Sequence, residues 1–250
     1  MAGLVGTAWA ALLLWEQSPY GRYLDHGSWT EIGFAGTICR AVPGASLLLP
    51  VVLYAGGWLL MTAAMMLPTA FPLLQRFVVV TAGREDGVIL VLLLVAGYLA
   101  VWFGFGVGAH ALDFGLHAAA REWGWLVTNA WMIGATVLLT AGLFQFSRLK
   151  YHCLDACRAP LSFIVRHWRG ASARSSAFRL GLHHGAYCVG CCWAIMLLMF
   201  LVGTGSVGWM LLLGAVMAIE KNATWGKRLS GPLGAALVGW AVVIAGAHVG

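Results

Sequence analysis

Long apolar segments recur along the entire chain, and they constrain its fold more than any other feature. Each approaches the roughly 20 consecutive residues that an α-helix needs to cross the hydrocarbon core of a bilayer. Of the 250 residues, 61% are hydrophobic and only 10% are charged, whereas an ordinary soluble domain has roughly 25% charged residues. The sequence therefore predicts an all-α, polytopic transmembrane helix bundle, with residues 1–250 forming a single domain.

About seven spans can be drawn from these segments, or six if one of the short outer ones does not cross. The proposed spans are residues 2–16, 46–68, 88–109, 124–145, 176–203, 207–222 and 232–249. The first resembles a signal peptide in length, but it lacks a basic n-region and a small-residue cleavage site, so we expect a retained helix. Pro68 and Pro72 should break or kink the end of the second span, since proline removes a backbone donor.

The basic residues predict how the bundle is oriented. Of 15 Lys and Arg residues, 12 lie in or beside the connections that follow spans two, four and six, and three lie in the connections after spans one and three. The positive-inside rule places the larger group in the cytoplasm. We therefore expect a multi-pass protein of a bacterial inner membrane, with a cytoplasmic N-terminus and a periplasmic C-terminus. The connection 146–175 should lie along the cytoplasmic membrane surface, where basic side chains meet anionic head groups.

The fifth span contains the segment LHHGAYCVGCCWAIM, which has two histidines and three cysteines. Thiols inside an apolar helix do not resemble a secreted disulfide framework. A helix advances about 100° per residue, which turns Trp193 away from the face that carries these groups. The residues that share this face are His184, Cys188, Cys191 and Cys192. Their spacing favours metal ligation or redox chemistry over the alternative that each thiol is a small buried hydrophobe.

A second helix must complete any such metal site. His184 and Cys191 are about 10 Å apart along the helix axis, at roughly 1.5 Å per residue, so one ion cannot contact both. Counted inward from the short turn between spans five and six, Cys188 and Glu220 both lie roughly 20 Å deep. We therefore predict Glu220 as a carboxylate ligand or proton acceptor. The alternative for Glu220 is an ion pair at the end of its span.

Two further pairs of residues are secondary candidates for metal ligands. The methionine pair shares one helix face at a depth similar to Cys188, although methionine is also a common core residue. The cysteine pair lies in the long cytoplasmic connection, where it suits a site at which metal enters the protein or a purely structural role. These candidates are Met61, Met65, Cys153 and Cys157.

Four sequence elements together resemble a family of uncharacterised bacterial proteins described as predicted metal-binding integral membrane proteins. They are TAAMMLP, LKYHCLDACRAP, HGAYCVGCCWAIM and IEK, which lie between residues 58 and 221. The C-x-x-C-C-W element is the most specific of them. The resemblance implies a class of protein and no reaction. The residues that it marks are Met65, Met66, Pro68, Cys153, Cys157, Cys188, Cys191, Cys192, Trp193, Glu220 and Lys221.

These residues favour a membrane protein that holds, delivers or transports a transition metal. Soft sulfur ligands suit Cu(I), and a Cys/His mixture also suits Zn(II), whereas non-haem iron prefers His and carboxylate. Haem on His183 or His184 is a weaker alternative, since no C-x-x-C-H motif is present. Two other functions stay open: a metal- or haem-dependent oxidoreductase or oxygenase subunit, and a scaffold subunit of a larger membrane complex. Expected partners are the lipid bilayer and other membrane-protein subunits, and no module for binding nucleic acid is recognised.

Overall fold

The computed structural model describes residues 2–17, 48–123, 125, 128–129, 131–168, 172–202 and 207–249. Within these ranges the chain is almost entirely helical and contains no β-strand. The all-α prediction is therefore confirmed for the described residues. Residues 124, 126, 127 and 130 of the fourth proposed span and the turn between spans five and six lie outside them.

Ten α-helices lie in the described ranges and are numbered here in chain order. They are α1 (Ala2–Glu16), α2 (Leu48–Met66), α3 (Phe71–Val80), α4 (Gly87–Glu122), α5 (Trp131–Phe144), α6 (Arg148–Arg158), α7 (Pro160–His167), α8 (Ala173–Val202), α9 (Val207–Asn222) and α10 (Ser230–Val249). Short 3-10 helices at Pro68–Ala70 and Gly226–Leu229 precede α3 and α10.

The described helices provide three to five candidate membrane spans, so the predicted seven are not confirmed. Three segments are individually long and apolar enough to cross a membrane, namely Gly87–Ala109, Ala173–Met199 and Gly226–His248. Two more candidates are bent pairs, α2 with α3 at 42° and α5 with α6 at 62°. Helices α1 and α9 have only 15 and 16 residues, which is fewer than the roughly 20 that a span requires.

The predicted proline break after α2 is present, and it leaves a backbone carbonyl available. Helix α2 ends at Met66, and Pro68 begins the 3-10 helix. The N–H of Ala70 donates to the carbonyl of Leu67 instead of that of Met66. The Thr69 hydroxyl donates to the Met66 carbonyl at 2.8 Å. Helix α2 therefore ends on a carbonyl that accepts side-chain hydrogen bonds.

Helices α4 and α8 pack closely because glycines face their contact. A Cβ at Gly97 would lie 2.2 Å from the carbonyl oxygen of Phe178, and one at Gly181 would lie 2.1 Å from that of Leu94. Small residues allow two helix backbones to approach in this way. The register of α8 along α4 is therefore set at backbone level, and this register positions the cysteines of α8.

A similar contact joins α5 to α10. A Cβ at Gly142 or at Gly234 would come within 2.9 Å of the other glycine's carbonyl oxygen. This contact brings the end of α5, with Gln145, close to the start of α10, with Ser230. Both polar residues are 0% exposed, and both take part in the charge network described below.

The connection 146–175 contains α6 and α7, each with a buried and an exposed face. Ser147 caps α6 by accepting a hydrogen bond from the N–H of Lys150 at 3.1 Å. Helix α6 buries Lys150, Cys153 and Leu154. Its location at a cytoplasmic membrane surface stays a prediction.

Substitution of Gly181 should destabilise the contact between α4 and α8. The added methyl group of Gly181→Ala would clash with backbone atoms, which cannot rotate away, so we expect a loss of about 1–3 kcal/mol in the free energy of unfolding. Gly104→Ala on α4 is the matched control, since its Cβ would have no neighbour within 4 Å. Thermal unfolding of the purified protein measures both. Equal Tm values for the two variants would contradict the proposed close contact.

Candidate functional site

Helix α8 holds its three cysteines inside the protein. Cys188, Cys191 and Cys192 are each 1% exposed, and all three are free thiols. The thiols of Cys191 and Cys192 donate to the Cys188 carbonyl at 3.1 and 2.8 Å. Trp193 is half-buried, and its ring packs edge-on against Phe144 with centroids 5.1 Å apart. The cysteines therefore lie together while Trp193 packs on α5.

A buried ammonium group lies among these thiols, and reasoning from residue spacing missed it. The Nζ of Lys221 is 2.8 Å from Cys188 Sγ, 3.7 Å from Cys192 Sγ and 3.2 Å from Thr69 Oγ1. Lys221 is only 5% exposed, and a buried charge needs a partner. A thiolate at Cys188 would balance this charge, and the thiolate is the form of cysteine that binds metals. In the sequence, Lys221 was marked by its position in the IEK element of the family resemblance.

Tyr98 of α4 and Met66 of α2 enclose the same thiols from the other side. The Tyr98 hydroxyl lies 3.0 Å from Cys188 Sγ and donates to the Met66 carbonyl at 3.1 Å. The Met66 Sδ lies 3.9 Å from Cys192 Sγ. The carbonyl released by the proline break thus accepts hydrogen bonds from both Tyr98 and Thr69. Helices α2, α4, α8 and α9 meet at Cys188.

Helix α6 adds a fourth cysteine. The thiol of Cys157 is half-buried and lies next to that of Cys191. Cys153 packs on the glycine of the C-x-x-C-C-W element, since a Cβ at Gly190 would lie 2.7 Å from the Cys153 sulfur. Both predicted cysteines of the long connection therefore lie against α8. We use the name sulfur cluster for Cys157, Cys188, Cys191, Cys192 and Met66.

Glu220 forms an ion pair instead of contacting a thiol. Its carboxylate accepts hydrogen bonds from Lys150 Nζ at 2.7 and 2.8 Å and from the Ser230 hydroxyl at 2.6 Å. Lys150 also donates to the side chain of Gln145. The two charged side chains are 0% and 2% exposed. The depth estimate brought the end of α9 to the level of Cys188, but Lys221, the next residue, is the one that contacts the thiol.

The other predicted ligands are buried near the sulfur cluster. His184 is 3% exposed, its Nδ1 has no hydrogen-bond partner, and its ring stacks on Tyr98 with centroids 5.8 Å apart. Met61 and Met65 are each 2% exposed. Met66, which the family resemblance marked, is the methionine whose sulfur contacts Cys192. Ligation by His184, Met61 or Met65 stays a prediction.

The described residues contain no group of three or more His, Cys, Asp or Glu side chains that could hold a metal ion as they stand. The sulfur cluster is closed around the Lys221 ammonium, which would repel a cation at the same place. The donors nevertheless fit a soft metal, because thiolate and thioether ligands select Cu(I). Metal binding at Cys188 therefore requires Lys221 to move.

A pocket of about 470 Å³ provides space for that movement, since Lys221 forms part of its wall. Cys157 lines the same pocket. Two residues of the site, Lys221 and Cys157, therefore border this pocket.

The chain was compared with known families, curated proteins and solved structures. A family model described as PpoB2, copper chaperone, matches residues 55–244. This range includes the whole sulfur cluster together with Lys221 and Lys150. No curated protein and no solved structure matches the chain.

Removal of one partner of the buried ion pair should strongly destabilise this site. Lys150→Met leaves the Glu220 carboxylate buried without its cation, so we expect a loss of about 3–5 kcal/mol in the free energy of unfolding. The exposed pair Lys227 and Asp155 is the matched control, and Lys227→Met should cost less than about 1 kcal/mol. Denaturant or thermal unfolding measures both variants. The double variant Lys150→Met/Glu220→Gln should recover much of the loss, and a failure to recover would argue against the ion pair.

Proposed function

The chain belongs to the PpoB2 copper chaperone family, whose model covers most of its length, and from this premise we propose that it is an integral membrane protein that binds Cu(I) and passes it to a partner. Copper is the cargo in this proposal and not a resident cofactor. The observation that carries the proposal is the contact between Lys221 and Cys188 inside a buried sulfur cluster.

The composition of the site supports Cu(I) as the cargo. Cys188, Cys192 and Met66 supply two thiols and a thioether within one contact network, and soft ligands of this kind select Cu(I). Cys191 and Cys157 extend the sulfur ligands toward the pocket. His184 is the proposed flanking ligand, and Glu220 acts through its ion pair with Lys150.

Charge balance also favours a monovalent metal. In the metal-free protein, the Lys221 ammonium contributes one positive charge beside Cys188. If Cu(I) takes this place and the ammonium moves into the pocket, the sulfur cluster exchanges one monocation for another. Zn(II), the alternative metal, would bring a second charge that requires another thiolate, and uncompensated charge is costly in a buried site.

Release of the cargo follows from the same competition. As a Cu–S bond to an acceptor forms and the bond to Cys188 breaks, Lys221 can return to the thiolate and restore its charge balance. The copper stays Cu(I), so no electron is transferred. A buried site that is stabilised in both its loaded and empty states suits a protein that delivers metal.

Exposed apolar side chains support the membrane location. Val88 and Leu92 of α4 are 74% and 60% exposed, and Val242 and Val243 of α10 are 62% and 69% exposed. Contiguous apolar surface of this kind marks an interaction with lipid or protein. We propose a multi-pass protein of the inner membrane with its N-terminus in the cytoplasm, surrounded by lipid and in contact with the membrane protein that receives the copper.

Removal of the central thiols should abolish tight copper binding. We expect Cys188→Ser/Cys192→Ser to weaken Cu(I) affinity about 100-fold or more, or about 2.8 kcal/mol, in competition with a chromophoric Cu(I) chelator. Cys153→Ser is the matched control, because this buried cysteine lies outside the sulfur cluster. Metal analysis for Cu, Zn and Fe accompanies the titration. Equal affinity in both variants would overturn the proposed site, and a Soret band in the spectrum would favour a haem protein.

The membrane location predicts how the protein fractionates. The chain should stay in the membrane pellet after alkaline carbonate extraction, because its apolar helices are embedded in lipid. Fusion of alkaline phosphatase to the C-terminus should give an active enzyme, which requires a periplasmic location. Extraction of the chain into the supernatant would contradict membrane insertion, and an inactive fusion would reverse the proposed position of the C-terminus.

A further inference from the structure

A cationic pocket leads from the surface to the sulfur cluster. The pocket has a volume of about 470 Å³ and lies between α3, α6, α7 and α9. Three of its lining residues are basic, and none of those described is acidic. The lining residues are Pro72, Gln75, Arg76, Val79, Cys157, Arg158, Pro160, Lys221 and Asn222.

Two of these residues connect the pocket to the buried thiols. Cys157 lies next to Cys191, and the Nζ of Lys221 lies 2.8 Å from Cys188 Sγ. The pocket therefore reaches a half-buried thiol first and fully buried thiols behind it. A metal that enters here meets a series of sulfur ligands along its path.

The charge of the pocket opposes the approach of a free metal cation. Arg158 is held in place because its guanidinium donates to the carbonyls of Glu220 and Thr224, and Arg76 is exposed. With Lys221, these residues create a positive potential that repels Cu(I) and attracts anions. Copper that enters by this route must arrive in a complex whose net charge is negative.

We propose that this pocket is a loading site for Cu(I) carried by a small anionic thiol, such as a thiol peptide with free carboxylates. The inference rests on the proposed function. The volume of the pocket falls within the range of roughly 300–1,000 Å³ that is typical of small-molecule sites. The carboxylates of the carrier pair with Arg76 and Arg158, and the bound copper then faces Cys157.

The transfer is a thiol exchange in which copper stays Cu(I). A Cu–S bond forms to Cys157 as one Cu–S bond to the carrier breaks, and the proton of the Cys157 thiol leaves with the carrier thiolate. A Cu–S bond to Cys191 then forms as the second bond to the carrier breaks, and the proton of the Cys191 thiol leaves with that carrier thiolate. Finally, the Cys188 thiolate bonds to the copper as the bond to Cys157 breaks, and the Lys221 ammonium moves into the vacated pocket, where it balances the Cys157 thiolate. No oxidant or reductant takes part.

Loading kinetics with one carrier that has carboxylates and one that lacks them test this proposal. Full-length protein in nanodiscs is mixed with Cu(I)–glutathione or with Cu(I) bound to β-mercaptoethanol, a thiol without carboxylates whose bis-thiolate Cu(I) complex is a monoanion. Arg76→Gln should slow loading from glutathione about tenfold, since charge steering changes association rates by 10-fold or more. It should slow loading from β-mercaptoethanol much less, because that carrier has no carboxylate to pair with Arg76, and it should leave the final copper content unchanged. Arg228→Gln, an exposed cation that does not line the pocket, should change neither rate.

The remaining outcomes separate this proposal from the proposed function. Cys157→Ser should slow loading from both carriers, because it removes the first protein thiol. If Arg76→Gln and Cys157→Ser load at the wild-type rate from both carriers, the loading site is overturned while copper binding stands. If Arg76→Gln and Arg228→Gln are slowed equally, general surface charge explains the effect and the loading site is again overturned. If wild-type protein acquires no copper from either carrier, the proposed function fails as well.

Discussion

The positive charge of Lys221 beside Cys188 is the interaction on which the candidate site depends. An ammonium group that is removed from water needs a compensating partner, and among the described residues thiols, a tyrosine hydroxyl and a threonine hydroxyl lie around it. The next residue toward the N-terminus, Glu220, meets the same requirement through Lys150 and Ser230. Consecutive residues of α9 are thus joined to different helices, which fixes the rotation and depth of α9. The buried charges of Lys221 and Glu220 need partners at the same time, and this requirement determines the geometry of the sulfur cluster.

Several structural details position the two charged groups. The glycines between α4 and α8 set the height of Tyr98 relative to Cys188. The break at Pro68 turns the Met66 carbonyl into an acceptor for Tyr98 and Thr69, and Thr69 in turn accepts from Lys221. Residues with no metal-binding chemistry of their own therefore determine where the thiols and the ammonium meet.

Much of this arrangement was predictable from the sequence, and the rest depended on rotation about helix axes. Apolar length identified the helical class, and helical periodicity grouped Cys188 with Cys191 and Cys192. Counting residues inward from the turn placed the end of α9 at the level of Cys188. Neighbouring residues on a helix point in directions about 100° apart, so depth alone could not show whether Glu220 or Lys221 faces the thiol. For the same reason, residue counting could not show that Met66, and not its neighbour Met65, contacts Cys192. The number of spans was harder to predict, because apolar length alone does not show where a helix bends, and the pairs α2 with α3 and α5 with α6 are bent by 42° and 62°.

Under the proposed function, the position of Lys221 also explains how the protein would hold copper inside a bundle without trapping it. A preformed cage of thiolates would be strongly disfavoured when empty, since like charges would lie together in a medium of low dielectric constant. An ammonium group removes that penalty and keeps the thiols at their places. In the proposed mechanism copper displaces the ammonium, so part of its binding energy would be offset by the lost ion pair, and the net affinity would be lower than that of an open cage. A lower net affinity favours transfer to an acceptor, and the pocket beside Lys221 supplies the space that this exchange requires.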